Sequence, residues 1–128
     1  MVIAHTAIYT QDPERLADFY CRWFGGRAGR EYENPARGVS SRFIDFGPGA
    51  RLELMNSRNL EETVRREFTA GYAHLAFSTE SAGEVERLTA RLREAGYTVV
   101  RGPRTTGGGF FESCVLDPDG NRVEISFG

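Results

Sequence analysis

Residues 4–10 read Ala-His-Thr-Ala-Ile-Tyr-Thr, and residues 73–79 read Ala-His-Leu-Ala-Phe-Ser-Thr. The two stretches carry Ala, His, Ala and Thr at the same places. A second pair follows at nearly the same interval, because residues 49–54 and 120–125 both have the form Gly-x-Arg-apolar-Glu-apolar. Self-similarity at a fixed spacing is the signature of a repeated structural unit. We therefore expect one domain over residues 1–128, built from two modules, 1–56 and 72–128, with a linker over 57–71.

Each module is predicted to place a helix after its first strand. In the first module the β-rich stretch 3–10 precedes Asp12-Pro13, an N-cap residue before a first-turn proline. Apolar residues then recur at helical spacing until Gly25-Gly26. In the second module Ser81 and Glu84 form a capping box, followed by an apolar stripe of Val85, Leu88 and Leu92 before Gly96.

Strand-like segments follow each predicted helix. They cover 27–33, 40–46 and 51–56 in the first module, and 97–101, 110–117 and 121–127 in the second. Turn sequences, Gly47-Pro48-Gly49 and Asp117-Pro118-Asp119-Gly120, precede the last strand of each module. The order is βαβββ twice, which predicts an α+β fold of two tandem modules.

Alternation along the last strand of each module separates its glutamate from its apolar residues. Side chains on a strand point alternately to opposite faces, so Leu52 and Leu54 lie opposite Glu53. Val123 and Ile125 lie opposite Glu124 in the same way. Because the apolar faces must cover the amphipathic helices, both glutamates are expected on the faces away from the helices.

His5 and His74 lie on the first strand of each module, where alternation alone does not choose a face. The repeat requires that both have the same orientation. Two modules related by a pseudo-twofold axis would bring two imidazoles and two carboxylates together in a cleft lined by curved mixed sheets. A lone strand histidine or glutamate is more often structural, but the recurrence of both in both modules favours a ligand role.

Composition limits the classes of function. The chain has 16 basic and 18 acidic residues and a net charge of −2, which argues against nucleic acid as the main partner. No apolar run is long enough to span a membrane, and the start shows no signal-peptide pattern. Two cysteines, Cys21 and Cys114, cannot build a disulfide framework, so we expect a cytoplasmic protein with reduced thiols.

The sequence resembles the vicinal oxygen chelate superfamily, which includes glyoxalases, bleomycin-resistance proteins and dioxygenases. The resemblance covers essentially the whole chain. It rests on His5 with the helix start at 12–20, and on the segments Arg51–Leu54, Tyr72–Phe77 and Leu116–Ile125. The segment Asp117–Glu124, Asp-Pro-Asp-Gly-Asn-Arg-Val-Glu, is the most specific of these. A set of two histidines and two glutamates is similar to the glyoxalase I (lactoylglutathione lyase) branch.

The resemblance implies a metal site and a reaction. His5, Glu53, His74 and Glu124 would bind one divalent metal per site, Ni²⁺ or Zn²⁺, with Co²⁺ or Mn²⁺ also suited to these donors. The reaction implied is lyase or isomerase chemistry, in which a 2-oxoaldehyde–thiol hemithioacetal becomes a 2-hydroxyacyl thioester through a metal-bound enediolate. Methylglyoxal detoxification is the corresponding role. Glu124 would be the chief catalytic base, with Glu53 as its mirror partner.

Substrate contacts are less well marked in the sequence. Glyoxalase I enzymes commonly carry an arginine four residues after the first histidine, where this chain has Tyr9. Asn56 stands near the place of an expected asparagine, and Arg101 and Arg104 lie beside the Gly107–Gly109 loop. These residues, Tyr9, Asn56, Arg101 and Arg104, are the candidate substrate contacts. Aromatic pocket candidates are Phe43, Phe46, Phe110 and Phe111.

Three functions remain open from the sequence. The first is the glyoxalase I-like enzyme, and the second is another metal-dependent reaction of the superfamily, such as an epimerase or dioxygenase. The third is a non-catalytic dimer that binds a small molecule or antibiotic. The two modules could close on each other within one chain or pair with the modules of a second chain. Similar short glyoxalases pair the first module of one chain with the second of its partner, which implies a homodimer with two shared sites.

Overall fold

A computed structural model of the protein describes residues 1–64 and 66–128. The chain divides into two compact units, Met1–Thr63 and Val64–Gly128. Among the described helices, none is long and apolar enough to cross a membrane.

The first unit consists of one helix packed on one mixed sheet. Its elements are β1 (His5–Tyr9), α1 (Pro13–Phe24), β2 (Arg27–Ala28), β3 (Tyr32–Asn34), β4 (Val39–Asp45) and β5 (Arg51–Ser57). The strand order is β1-β5-β4-β2, with β3 paired to β4. β1 and β5 run parallel, and the other neighbours are antiparallel.

The second unit repeats this plan with one strand fewer. Its elements are β6 (Leu75–Ser78), α2 (Ala82–Glu94), β7 (Val99–Thr105), β8 (Phe111–Leu116) and β9 (Arg122–Phe127). The strand order is β6-β9-β8-β7, with β6 parallel to β9 and antiparallel pairing elsewhere. This unit is βαβββ, and the first unit has the same order with one strand divided in two. The predicted α+β class with two such modules is confirmed.

The extra strand of the first unit comes from a bulge. The predicted segment 27–33 divides into β2 and β3, which both pair with β4. Ala28 lies opposite Ile44 and Tyr32 opposite Ser41, so β2–β3 contains one residue more than the facing stretch of β4. One unmatched residue interrupts the ladder and bends the strand. The prediction of an unbroken strand over 27–33 was therefore wrong at this point.

Both helices begin at the predicted caps. The Asp12 carboxylate accepts a hydrogen bond from the backbone N–H of Arg15, and Gly25 ends α1 in the left-handed conformation. Ser81 Oγ accepts from the backbone N–H of Glu84 at the start of α2. The Glu84 carboxylate reaches back to the N–H of Glu80 rather than to that of Ser81, which shifts the capping box by one residue.

The buried side chains of each unit lie between its helix and its sheet. In the first unit Leu16, Phe19 and Tyr20 of α1 lie against Leu52 and Leu54 of β5, and all five are buried. In the second unit α2 packs on β8 and β9, and its buried stripe includes Thr89 rather than the predicted Leu88, which is half-buried.

Thr89 is accommodated because its hydroxyl is satisfied. It donates to the Val85 carbonyl at 2.6 Å and shares a 2.6 Å hydrogen bond with Ser113 of β8.

Candidate metal centre

The first His–Glu pair is formed by the parallel pairing of β1 with β5. Glu53 lies opposite Ala7, so His5, two residues before Ala7, is on the same face of the sheet. The distance from His5 Nε2 to Glu53 Oε2 is 3.5 Å. The carboxylate is largely covered, with 15% of its side chain exposed, whereas 43% of the imidazole is exposed. A largely buried carboxylate oxygen of Glu53 therefore faces an accessible ring nitrogen of His5.

An aromatic and a cationic side chain flank this first pair. Phe43 of β4 lies directly opposite Glu53, and its ring meets the His5 ring edge-on with centroids 5.4 Å apart. The guanidinium of Arg51 lies 4.2 Å from the centroid of the Phe43 ring. This cation–π contact and the edge-on contact together restrict the rotation of Phe43, and Phe43 in turn restricts the imidazole.

The second pair is built by the equivalent strands of the second unit. Glu124 lies opposite Ala76 of β6, and His74 immediately precedes β6. His74 Nε2 and Glu124 Oε2 are 3.1 Å apart, with 37% of the imidazole and 11% of the carboxylate exposed. The two units thus produce the same local arrangement from the same topology, a histidine at or just before the start of a strand and a glutamate on the parallel neighbour.

The second pair is flanked by an arginine side chain instead of an aromatic ring. Cys114 of β8 occupies the position opposite Glu124 that Phe43 occupies opposite Glu53. Arg101 of β7, which pairs with Cys114, extends to Glu124 Oε1 at 3.4 Å and to Glu67 at 3.0 Å. It contacts Oε1 of Glu124, whereas Oε2 faces His74, so the arginine and the histidine use different oxygens.

Glu67 links two arginines of this face. Its two oxygens lie 3.0 Å from Arg101 and 3.5 Å from Arg122. Burial opposes the charge of Arg101, but the acidic groups around it, Cys114, Glu67 and Glu124, outweigh burial and hold its pKa above the ordinary arginine value. Arg101 is therefore a permanent cation beside Glu124.

Cys114 is a buried thiol rather than a reactive one. Burial raises the pKa of Cys114, and the nearby Arg101 only partly opposes this effect. The thiol is thus protonated at neutral pH. Cys21 of α1 is half-buried, and both cysteines are free.

The donor chemistry of each pair fits a first-row divalent metal. Imidazole nitrogen and carboxylate oxygen bind such ions at about 2.0–2.2 Å, so two donors on one ion lie about 3–3.5 Å apart. The observed Nε2–Oε2 separations are 3.5 and 3.1 Å. Either unit by itself supplies two donors, and among residues 1–64 and 66–128 no three or more His, Cys, Asp or Glu side chains are placed so that they could hold a metal ion together.

The candidate substrate contacts take different positions. Tyr9 ends β1 two residues after Ala7, on the face of His5, and is 55% exposed. Asn56 has the strand parity of Leu52 and Leu54, away from Glu53, and its side-chain amide donates to the Gln11 carbonyl at 3.2 Å. Arg101 contacts Glu124, whereas Arg104 is exposed opposite Glu112.

The four aromatic pocket candidates also lie at different places in the structure. Phe43 lies beside His5, but Phe46 packs against Tyr20 of α1, on the helix side of the sheet. Phe46 is half-buried on the helix side of the sheet, away from Glu53, and its prediction as a pocket residue was wrong. Phe110 is exposed and Phe111 half-buried, at the β7–β8 hairpin.

Sequence reasoning missed several neighbours of the two pairs. Arg51 and Arg122 recur at matching places in the Gly-x-Arg-apolar-Glu repeat, which was the available signal. Glu67 lies in the segment between the modules, where no pattern marks it. A depression of about 360 Å³ on the face of Glu53 was also not foreseen, because its lining comes from three separate strands and their loops.

Comparison with known proteins agrees with this architecture. Residues 2–125 match the glyoxalase/bleomycin resistance protein/dioxygenase superfamily, and the chain belongs to that superfamily. It is 31% identical to the Bacillus subtilis protein YqjT, with 94% of each chain covered. It is 25% identical to a probable lactoylglutathione lyase of Synechocystis sp., covering 98% of this chain and 94% of the relative.

Solved structures show the same fold. The trypanothione-dependent glyoxalase I of Leishmania major superimposes with a TM-score of 0.79 at 26% identity, covering 98% of this chain and 85% of that one.

Proposed function

We propose that this protein is a divalent-metal-dependent enzyme of the glyoxalase I type. The reaction would convert the hemithioacetal of a 2-oxoaldehyde and a thiol to a 2-hydroxyacyl thioester. The observation that carries the proposal is the duplicated pair, in which an imidazole Nε2 faces a carboxylate Oε2 at 3.5 Å in one unit and 3.1 Å in the other. Similarity to a probable lactoylglutathione lyase and to a glyoxalase I supports it.

Four residues would hold the metal in this proposal, namely His5, Glu53, His74 and Glu124. When bound, a divalent ion of this kind acts as a Lewis acid toward two neighbouring substrate oxygens. Ni²⁺ and Zn²⁺ suit the nitrogen and oxygen donors best, and Co²⁺ and Mn²⁺ remain compatible with them.

The two carboxylates would perform the proton transfer. The reaction is an isomerisation, so the proton that leaves the thiol-bearing carbon is returned to the neighbouring carbon and no atom is lost. Glu124 would accept this proton at a carboxylate oxygen, with Glu53 as its counterpart on the other side of the substrate. Only 11% and 15% of these two side chains are exposed, and partial burial limits competition from water.

Neighbouring side chains would orient the carboxylates and imidazoles. Arg101 holds Glu124 Oε1 and leaves Oε2 directed to His74. Phe43 packs against His5 from the neighbouring strand. These contacts reduce the number of rotamers available to each donor, which lowers the entropic cost of assembling the site.

The assembly we propose is a homodimer with two sites. His5 and Glu53 of one chain would act with His74 and Glu124 of its partner, because one pair alone provides too few donors for a stable site. We also propose that the protein works in the cytoplasm on a small-molecule substrate, in the detoxification of methylglyoxal or a related aldehyde.

The test is a metal titration combined with an activity assay. Purified protein is stripped with a chelator, reloaded with Ni²⁺, Zn²⁺, Co²⁺ or Mn²⁺, and assayed for thioester formation from methylglyoxal with several thiols. We expect activity to require metal and to fall at least 100-fold in Glu124→Gln. Glu86→Gln, an exposed change on α2, serves as the matched control.

Two outcomes would redirect the proposal. Stoichiometric metal binding without thioester formation from any thiol would indicate a different reaction of the superfamily, such as epimerisation or oxidative ring cleavage. Absence of metal binding would favour a protein that sequesters a small molecule.

A further inference from the structure

Glu67 contacts two arginines on the face of the second sheet that carries Glu124. Its Oε1 lies 3.0 Å from Nη1 of Arg101, and its Oε2 lies 3.5 Å from Nη2 of Arg122. Arg101 belongs to the cross-strand row Arg101–Cys114–Glu124, and Arg122 is two residues before Glu124 on β9. Glu67 belongs to the same unit and comes from the segment before β6. This segment therefore places a carboxylate beside the neighbours of the second His–Glu pair.

The backbone next to Glu67 has an unfavourable conformation. Phe68 has a φ of +61°, in the left-handed region that residues with a large side chain rarely adopt. Its ring is 98% exposed, so burial of the ring does not offset this cost. In this conformation the preceding residue, Glu67, makes its two ion pairs. A strained backbone persists where surrounding contacts hold it, and such positions cluster at functional sites.

Arg101 is shared between two carboxylates. Its Nη1 lies 3.0 Å from Glu67 and its Nη2 lies 3.4 Å from Glu124 Oε1, so the contact with Glu67 is the closer one. The Nε atom of Arg101 is buried and has no hydrogen-bond partner among the described residues. The orientation of this guanidinium therefore depends on its two Nη groups, with one directed to each carboxylate. The second oxygen of Glu124, Oε2, stays directed to His74 at 3.1 Å.

Loss of the Glu67 carboxylate would release Nη1 of Arg101. A guanidinium and a carboxylate favour the paired arrangement in which two N–H groups meet two oxygens. Arg101 would then engage both oxygens of Glu124, including the Oε2 that faces His74. A carboxylate paired in this way has fewer lone pairs to offer a metal ion, and it no longer points toward the imidazole.

We propose that Glu67 is a positioning residue of the candidate metal centre. It restrains Arg101 to a single contact with Glu124 and so keeps Glu124 Oε2 directed to His74. Metal binding by Glu124 rests on the proposed function, whereas the restraint on Arg101 does not. Outer-shell partners that orient a ligand typically change metal affinity about 10–100-fold. Because about one third of the Arg101 and Glu67 side chains is exposed, we expect an effect below this range.

Metal affinity and histidine NMR of the full-length protein test the inference. The variants are Glu67→Gln, which removes the charge, Glu67→Asp, which keeps it, Arg101→Gln, and the double change of both residues to Gln. Glu62→Gln, an exposed change in the segment between the modules, is the control. Zn²⁺ affinity is measured by competition with a chromophoric chelator. The Nε2 chemical shift of His74 is measured in the metal-free protein.

Glu67→Gln should bind Zn²⁺ about fivefold more weakly than wild type, and Glu67→Asp no more than about twofold more weakly. Glu62→Gln should match wild type. In the Arg101→Gln background the change Glu67→Gln should cost less than about twofold, because no guanidinium remains to be restrained. The Nε2 signal of metal-free His74 should shift in Glu67→Gln but should not shift when the same change is added to Arg101→Gln.

An equal loss of Zn²⁺ affinity with and without Arg101 would overturn the inference, because Glu67 would then act by its charge alone. Unchanged affinity in Glu67→Gln would also overturn it, as would an unchanged His74 signal if wild type binds no Zn²⁺. Failure of the proposed function has a different result. If wild type forms no thioester or binds no Zn²⁺, a His74 signal that responds to Glu67 only when Arg101 is present still supports the positioning role. Thioester formation by a Glu67→Gln protein with wild-type Zn²⁺ affinity removes the positioning role alone.

Discussion

The imidazole of His5 and the ring of Phe43 meet edge-on, with centroids 5.4 Å apart and an angle of 89° between their planes. Phe43 of β4 is the cross-strand neighbour of Glu53 on β5, so a single aromatic side chain borders both members of the first pair. The second unit has Cys114 at this position and uses Arg101 to contact its glutamate. The repeated pairs are thus supported by different neighbours.

Replacement of Phe43 by Leu is expected to weaken metal binding while the fold is retained. Leucine fills part of the space but does not provide a flat ring to restrict His5 or a π-face for Arg51. Loss of an orienting neighbour typically costs 10–100-fold in metal affinity, and we expect about tenfold. Competition with a chromophoric chelator measures the metal affinity. The control is Phe110→Leu, which changes an exposed ring. Equal affinity in both variants would contradict the positioning role.

Complementation is expected between two inactive variants. In the proposed dimer, His5→Ala and Glu124→Ala each damage both sites of their own homodimer. In the mixed dimer one site loses both residues and the other retains all four donors. Refolding the two chains together should therefore restore part of the thioester-forming activity. Mixed dimers that are isolated by differential tags and remain inactive would show that the site is not shared between chains.

Arg101 and Glu67 are expected to be energetically coupled. Their atoms lie 3.0 Å apart, but about one third of each side chain is exposed, so solvent weakens the pair. A double-mutant cycle of Arg101→Gln and Glu67→Gln in urea unfolding should give a coupling of about 0.5–1 kcal/mol that declines in high salt. Pairing Arg101→Gln with Glu94→Gln, an exposed change on α2, should give none. Coupling insensitive to salt would contradict a solvent-screened ion pair.

Cys114 is expected to make stability depend on pH above neutrality. Burial raises the pKa of Cys114 in the folded protein, so its proton is retained at pH values where the unfolded chain has lost it. The contribution is fully present below about pH 8.5, where an unfolded cysteine titrates, and is lost as pH rises through the folded value. Urea unfolding between pH 7 and pH 10 should show this decline, and it should be smaller in Cys114→Ala.

The two cysteines should also differ in alkylation. Iodoacetamide at pH 8 is expected to modify the half-buried Cys21 well before Cys114, which is 1% exposed. Mass spectrometry of peptides over time measures the order. Equal rates in the native protein would contradict the burial of Cys114.

Gly102 is expected to tolerate no side chain. Its φ is +81°, and a Cβ there would clash with the Glu112 carbonyl oxygen and lie 2.8 Å from Ser113 Cα. The change Gly102→Ala should therefore lower the free energy of unfolding by about 2–4 kcal/mol. Gly107→Ala in the same hairpin, where a Cβ meets nothing within 4 Å, should be nearly neutral. Thermal unfolding of the two variants provides the comparison, and equal stability would contradict the close approach of β7 and β8.

Much of each unit followed from patterns that are local in the chain. The caps at Asp12 and Ser81 were predictable because an N-cap needs only a side-chain oxygen and the N–H groups of the next turn. The face of Glu53 was predictable because Leu52 and Leu54 must be covered by the helix, and strand alternation then fixes their neighbour. The bulge between β2 and β3 was not, since it depends on the register against β4.

By itself, the sequence determined that the chain repeats a βαβββ module, that each copy carries one histidine and one glutamate, and on which face each glutamate lies. Tertiary structure alone decided what surrounds them. Parallel pairing of β1 with β5 brings His5 to Glu53 across 48 positions, and strand register selects Phe43 and Arg101 as neighbours of the two pairs. Periodicity reports the direction of a side chain relative to its own strand. The residues that a side chain contacts depend on long-range strand register, which no local pattern encodes.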